Sequence, residues 1–399
     1  MNTKHLNSEK GQAIVYLVIG LVVFLGFVAM AIDGGMALAD RRNVQNAADA
    51  ASLAGGGAAA SILAKLACPA FFTCSGMEVA AENAAIIRSG LNNFSIDNDL
   101  SDHNGVHANC VNTSTASYID VTVDITASTQ SNFLQLVFPN ALQNKVETVT
   151  RVFPGGPIGN NDAIVGLNDA GCTGGNGVTV NGTGSTIVHG GNIFSNGCVQ
   201  GNGSKGSANV DSPGYIASHY NSPGNITFNP PIQTTTMLLQ LQDYYIKPPA
   251  CTTWYNKLPP GALSGLYCMT GNLDFKPGDT GTGVTFYVPS GTISANGNGK
   301  NPIILFAPTK AAPNPPAIPN ILFYVPNGGA VTINGDTGDE FHGMIYAPKS
   351  QVTLTGTADN IFYGQVIGWD VKIGGNNNMT VNYEQCNGYF RSPSLELHK

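Results

Sequence analysis

Gly11 to Ala54 reads GQAIVYLVIGLVVFLGFVAMAID followed by GGMALADRRNVQNAADAASLA. The first part carries no charge from Gly11 to Ile32, a run of 22 residues. At 1.5 Å rise per residue such a helix is about 33 Å long, enough to cross a hydrocarbon core of about 30 Å. The helical pattern does not stop with the apolar run. Val44, Ala47, Ala48, Ala51 and Leu53 continue it at helical spacing. The expectation is one long helix over residues 12–64, interrupted or bent near Gly34-Gly35 and Gly55-Gly56-Gly57. Its first half sits in lipid, and its second half packs on a globular head or on neighbouring subunits.

The same stretch resembles the N-terminal region of the tight-adherence (Tad) proteins of bacterial Flp pilus systems, the TadE-like and TadG-like family. The matching residues are the opening Gly11-Gln12-Ala13, the apolar span and the exit through Asp33. The run Arg41-Arg42-Asn43-Val44-Gln45-Asn46-Ala47-Ala48-Asp49-Ala50-Ala51 follows and is the most specific part. The resemblance covers roughly the first 55 residues and continues more weakly to about residue 153; the rest of the chain lies outside it. It implies a small pilin-like α+β head and partners among the pilus-assembly subunits, packed against Arg41–Ala51. TadE-like pseudopilins place a Glu five residues after their processed Gly, and Tyr16 stands there in this chain. That departure leans the match toward the TadG-like branch, with the anchor retained. A cleaved secretory signal is the rival, but its apolar region would be only about 7–15 residues. Asp33 is read either as an interfacial residue or as partner to a subunit's cation.

Composition separates the rest of the chain from cytoplasmic enzymes. Charged residues are 11% of the 399, against a usual share of about 25%. Glycine contributes 49 residues, roughly twice the usual proportion. The net charge of −7 and the missing basic patch exclude nucleic acid as a partner. The eight cysteines, Cys68, Cys74, Cys110, Cys172, Cys198, Cys251, Cys268 and Cys386, lack CxxC zinc spacing and read as disulfides of an exported domain. The pairs expected are Cys68–Cys74, Cys172–Cys198, Cys251–Cys268 and, left over, Cys110–Cys386. Lys4 and Lys10 before the span balance Arg41 and Arg42 after it, so flanking charge does not set the topology. The cysteines and the Gly-rich body place the C-terminal part outside the cytoplasm, on a single-pass cell-membrane protein.

Residues 1–10 read as a cytoplasmic tail and 11–64 as the transmembrane helix with its Ala-rich continuation. Residues 65–153 read as the small α+β head, with a helix over Met77–Leu91, a polar loop over 92–115 and strands near 118–125 and 145–153. Phe133–Phe138 reads as one helical turn. Pro154-Gly155-Gly156-Pro157 is the linker. From 158 to 388 short alternating runs such as Val331–Gly335, Gln351–Gly356 and Asp370–Gly375 are separated by Gly/Asn turns. They recur with a unit of about twenty residues, too short to bury a face alone, which points to stacked coils. A parallel β-helix or related β-solenoid is therefore expected, with an antiparallel β-sandwich as the alternative. Two interruptions stand out, residues 211–280 with a short helix near Met237–Tyr245, and the proline-rich loop Ala307–Asn320. Residues 389–399 read as a tail.

No residue pattern requires a cofactor, and no nucleophile elbow, HExxH or Walker loop is present. Asp97, Asp99, Asp102, His103, His107 and Cys110 form the densest ligand-type cluster, read as a solvated loop. Asp336, Asp339 and Glu340 are weak candidates for a Ca²⁺ site at a turn. β-Solenoids include polysaccharide lyases and hydrolases. Arginine, however, is absent between Val152 and Phe390, which counts against a lyase. An acid-pair hydrolase would draw on Asp279, Asp336, Asp339, Glu340, Asp359 and Asp370. Tyr324, Tyr346, Tyr363 and Trp369 could stack on a surface polysaccharide or within the body. The expectation is a non-enzymatic, membrane-anchored structural component of a pilus-assembly or adhesion system, with a carbohydrate-binding adhesin or β-helix enzyme as the alternative. Intact mass and N-terminal sequencing of the protein from its native membrane test the anchor: a chain beginning near Met1 is expected, and one beginning at Gln12 would mean prepilin-type processing despite Tyr16.

Overall fold

A computed structural model describes residues 12–66, 68, 72–113, 116–133, 142–159, 161–203, 209–356 and 360–398. It divides into two compact units, one of Met1–Ala64, Phe72–Pro154 and Pro393–Lys399, the other of Lys65–Phe71 and Gly155–Ser392.

The first unit is built on helix α1 (Gln12–Lys65), 54 residues without interruption. Neither glycine cluster interrupts it. Gly55 and Gly56 are instead places of close approach. A Cβ on Gly55 would lie 2.8 Å from both the Ala81 carbonyl oxygen and Val121 Cγ1, and one on Gly56 would lie 2.6 Å from Thr150 Cγ2. The helix needs a smooth, small-residue face there, and Ala47, Ala48, Ala51 and Ala59 extend it, all buried. Helix α2 is Met77–Leu91, with Ala81 and Ala85 buried. The sheet contains β1 (Gly105–Asn112), β2 (Ser117–Thr129), β3 (Leu142–Phe153) and the C-terminal strand Ser394–His398, antiparallel and in that order. Ile119, Val121, Val123 and Ile125 alternate inward on β2.

Two expectations change here. Residues 92–115 are not all loop, because β1 pairs along β2 from Gly105↔Asp124 to Asn112↔Ser117. The edge of β1 is covered by α2: Glu82 Oε1 accepts from the Ala108 N–H and Glu78 Oε1 from the Cys110 N–H. Residues 389–399 are not a free tail, since Leu395 and Leu397 take register with Val152 and Thr150 of β3. The turn expected over Phe133–Phe138 lies largely outside the described residues.

The second unit is a 21-stranded sheet in which the registers are parallel. The antiparallel sandwich alternative therefore does not hold. Most strands pair with one roughly twenty residues away, so side chains of the same kind align in columns. Tyr267, Phe286, Phe323, Ile345, Val366, Ile164, Ile193 and Ile216 form one buried column. Leu273, Ile293, Val331, Val352, Val371, Val178 and Val199 form a second, and Leu305, Phe341, Phe362, Val381 and Val188 a third.

The spatial order is not the chain order. Ile164 and Val178, near the start of the unit, pair with Val366 and Val371 near its end. The chain enters in the middle of the stack and builds outward to Gln233–Thr234. It starts again at Trp254–Tyr255 on the far edge and builds back to its own beginning. The segment between, residues 235–253, covers a further column made of Tyr287, Tyr324, Tyr346, Ile367, Val165 and Phe194. Leu239, Tyr244 and Ile246 are buried against that column. Asn196 holds this strap as a strand would, donating to the Leu239 carbonyl and accepting from its N–H, each at 2.7 Å. Tyr346 Oη donates to the Tyr244 carbonyl at 2.6 Å, and Tyr324 Oη to that of Ile246. The interruption expected over 211–280 is thus only this strap, and its helix is a single 3₁₀ turn, Leu241–Tyr244.

The disulfides are Cys68–Cys386, Cys74–Cys110, Cys172–Cys198 and Cys251–Cys268. The last two are the expected local pairs. Cys68–Cys74 and Cys110–Cys386 are corrected: Cys74 precedes α2 and reaches Cys110 because α2 lies along β1, and Cys68 then pairs with Cys386.

One buried acid makes the second unit sensitive to pH. Asp162 is fully buried and accepts from Tyr215 Oη at 2.6 Å. Gln365 Nε2 donates to the Asp162 and Ile158 carbonyls at 2.7 Å each. Burial pushes the Asp162 carboxyl up to about 7, with the Tyr215 hydrogen bond opposing. The folded state then holds a proton between pH 4 and 7 that the unfolded chain has released, so this group's contribution to stability is lost as pH rises through that window. In urea unfolding at pH 5 and pH 8, the wild type is expected to lose stability at the higher pH relative to Asp162→Asn, by on the order of 2–4 kcal/mol.

Candidate functional site

Two surfaces carry the functional residues, helix α1 in the first unit and a cleft in the second. Along α1 exposure switches abruptly. From Ala13 to Ile32 the apolar side chains are exposed almost without exception, Tyr16, Leu17 and Phe27 by about two-thirds of their surface. No part of the most apolar window is buried within the protein, and the helix is long and apolar enough to cross a membrane. Asp33, one residue further on, is 1% exposed. Its two carboxylate oxygens accept the backbone N–H groups of Asn132 and Phe133, each at 2.9 Å. Its carboxylate is therefore satisfied within the head and not open to a subunit's cation.

Beyond Asp33 the motif residues turn largely inward. Ala47 and Ala48 are buried. Gln45 Nε2 donates to Asp49 Oδ1 at 2.7 Å and to Thr148 Oγ1 at 3.2 Å, and Thr148 Oγ1 donates to the same Asp49 oxygen at 2.9 Å. Thr150 Oγ1 donates to Ser52 Oγ one turn later. These contacts lock α1 on β3 in a single register. Ala50 is half-buried, whereas Ala13, Arg41, Arg42 and Asn46 are exposed. The expectation that the whole of Arg41–Ala51 faces partners is thus corrected. Its Gln45–Asp49 half closes the head, and Arg41, Arg42 and Asn46 remain outward. Gly11 and the Gln12 side chain lie outside the described residues.

The cleft, about 320 Å³, lies along a column of rings. Phe306, His342 and Tyr363 occupy equivalent places on adjacent parallel strands. Their centroids are 4.2 and 4.1 Å apart, with planes inclined by 22° and 6°. Asn382 and His189 continue the column. Pro308, Thr309 and Asn320 of the proline-rich stretch, with Glu384 and Asn387, form the facing wall. That stretch does not simply project: Thr285 Oγ1 donates to the carbonyls of Ile318 and Ile321, and Asn320 Nδ2 donates to that of Gly388. Burial lowers the His342 pKa, against the pull of Glu340 at 3.5 Å, so its ring stacks as neutral imidazole at pH 7. His342 is therefore stacked on both faces, by Phe306 and by Tyr363.

The other candidates disperse. Asp339 Oδ1 accepts from the Ile303 N–H and Oδ2 from the Asp336 N–H, both at 2.8 Å, which makes it the fixture of a turn. Asp336 Oδ1 accepts from the Thr337 N–H, and Glu340 Oε2 lies 3.5 Å from His342 Nε2. Asp97, Asp99 and Asp102 each cap a backbone N–H two residues on. His103 faces Asp124, His107 faces Glu82, and Cys110 is in a disulfide. Among the described residues no group of three or more His, Cys, Asp or Glu could hold a metal ion. Of the aromatics considered for sugar stacking, Tyr324 and Tyr346 are buried under the strap and Trp369 packs against the same cluster, whereas Tyr363 lines the cleft. Sequence reading missed Phe306 and His342. Equal offsets from the repeated strands would have aligned them with Tyr363.

Comparison with known families agrees with this division. Residues 11–61 match the Flp pilus-assembly TadE/G-like family, Tad. Residues 268–386, which include the cleft, match a domain of unknown function, DUF7305. No curated protein matches the chain. The N-terminal segment is thus of the Tad type and carries one helix able to span a membrane, which makes the protein pilus-related at that end.

The Gln45–Asp49–Thr148 triangle generates a stability prediction. Asp49→Ala and Thr148→Val are each expected to cost about 1–2 kcal/mol locally, and the double variant about 1 kcal/mol less than their sum. Hydrogen exchange at β3 amides in the full chain measures this.

Proposed function

We propose that the protein is a membrane-anchored, exported structural component of a Flp/Tad-type pilus-assembly system and not an enzyme. The single observation that carries the reading is the switch in exposure along α1 at Asp33. One continuous helix leaves about 30 Å of apolar surface uncovered and then becomes the core of a folded head. That division suits an anchor followed by a pilin-like module. The parallel columns, with a unit of about twenty residues, support a β-solenoid for the second unit. Four disulfides among eight cysteines favour placing it outside the cytoplasm. The Tad match supports partners among pilus-assembly subunits, with Arg41, Arg42 and Asn46 as the outward remainder of the motif.

A structural role also suits the cleft. Acid-pair glycoside hydrolysis needs two carboxylates facing one bond. Among the described residues that line the cleft, Glu384 is the one carboxylate.

Membranes from cells that express the protein are expected to retain it through an alkaline carbonate wash. Protease added outside intact spheroplasts is expected to remove the second unit. Release by carbonate would overturn the anchor, and protection of the second unit until lysis would overturn export.

A further inference from the structure

We propose that the β2–β3 end of the head is seated in the bilayer interface, with Phe133 inserted among the lipids beside the exit of α1. The inference rests on the membrane-spanning reading of α1 and adds a second point of lipid contact.

The height of this end is fixed along α1 by contacts over little more than one turn. Asp33 accepts the N–H groups of Asn132 and Phe133. Asn132 Nδ2 reaches Met36 Sδ at 3.6 Å. Asn144 Nδ2 donates to the Ala37 carbonyl at 3.4 Å and to Thr129 Oγ1 at 3.0 Å. Asp33 stands one residue, a rise of about 1.5 Å, beyond the uncharged run that ends at Ile32. A bilayer that covers the run therefore has its polar interface, several ångströms deep, at the level of Phe133.

The chemistry at that level suits lipid. Phe133 is 44% exposed and Leu142 39% exposed, and Leu38 on α1 is 62% exposed. The sequence carries no charged residue from Ile125 to Asn144. Asp33, the acid at this level of α1, is buried and accepts two backbone amides, so its charge is not left bare toward hydrocarbon. An aromatic side chain at the membrane–water boundary is favoured over one in water. The consequence is mechanical. A helix alone lets a head swivel on its anchor, whereas a second contact holds the head at a fixed tilt.

The test uses the full chain in phosphatidylcholine vesicles, with Trp254→Phe and Trp369→Phe removing the native indoles. Phe133→Trp is compared with Phe24→Trp, in the middle of the span, using lipids brominated near the headgroup or near the chain end. Emission from Phe133→Trp is expected to shift to the blue and to be quenched more by the shallow bromines, and that from Phe24→Trp more by the deep ones. Leu142→Trp repeats the measurement should Phe133→Trp misfold. Quenching of Phe24→Trp with none at position 133 or 142 would overturn the inference while leaving the anchor intact, as would a position shielded by a second copy or a protein partner. No quenching at any position would overturn the anchor reading and the inference with it.

Discussion

The pairing of β3 with Ser394–His398 constrains everything that lies between them. Phe153 and Ser394 are register partners in the head, so the more than two hundred residues of the second unit must begin and end at neighbouring points. Within that unit the same requirement appears as the bridge between Pro157 and Phe390, supported by the Ile158 N–H to the Tyr389 carbonyl and the Arg391 N–H to that of Gly156. Parallel strands added simply from one edge of the sheet to the other would leave the two ends of the unit far apart. Beginning in mid-sheet and returning to the first strands brings them together. The second unit is thus inserted in sequence between β3 and the last strand, and its permuted strand order is the geometric consequence.

The strap follows from that winding. Once the chain has built outward to Gln233–Thr234 it must travel back along the stack to Trp254 before it can resume. An extended segment crossing a sheet face exposes backbone groups and needs partners for them. The column Tyr287–Tyr324–Tyr346 supplies hydroxyls at the strand spacing, and Asn196 supplies both a donor and an acceptor. The aromatics that look on paper like a sugar platform are therefore the bed of a structural crossing. The terminal pairings at Gln233–Thr234 and Trp254–Tyr255 are only two residues long, which limits the open edge offered to another chain.

Much of this was legible in the sequence, for physical reasons that also mark the limits. The apolar run, Asp33 and the Ala-rich continuation determine a local structure, because helical periodicity needs no distant partner. The alternation on β2 and the twenty-residue unit are equally local. What failed was long-range. β1 carries Val106, Ala108 and Cys110 in alternation, but the polar residues between them suggested a loop until α2 covered its edge. Cys68 and Cys74 are close in sequence, yet the helix between Cys74 and Cys110 folds back and brings those two together. Ser394–His398 carries only Leu395 and Leu397 as strand signals, and only β3 gives them a face. The glycines of 55–57 suggested a bend, because a glycine that admits a neighbour and one that breaks a helix look the same without that neighbour. Of the candidate site residues, those in Gln45–Asp49 were found, but their direction was not, since Thr148 lies some hundred residues away.

That direction changes how the motif is understood. Buried carboxylates need hydrogen-bond donors, and α1 places Asp33 and Asp49 on the side that meets the head. Each meets a specific donor set, two backbone amides for Asp33, and Gln45 with Thr148 for Asp49. The separation of the two acids along α1 therefore sets where the head begins and in which rotation it sits. Ser52, Gly55 and Gly56 add to the same register, since the Thr150 hydroxyl meets Ser52 Oγ and a Cβ at either glycine would clash with the head. The recognisable residues of the segment thus act first as register pins between the apolar helix and its own sheet. Arg41, Arg42, Asn43 and Asn46, which the sheet does not cover, stay outward.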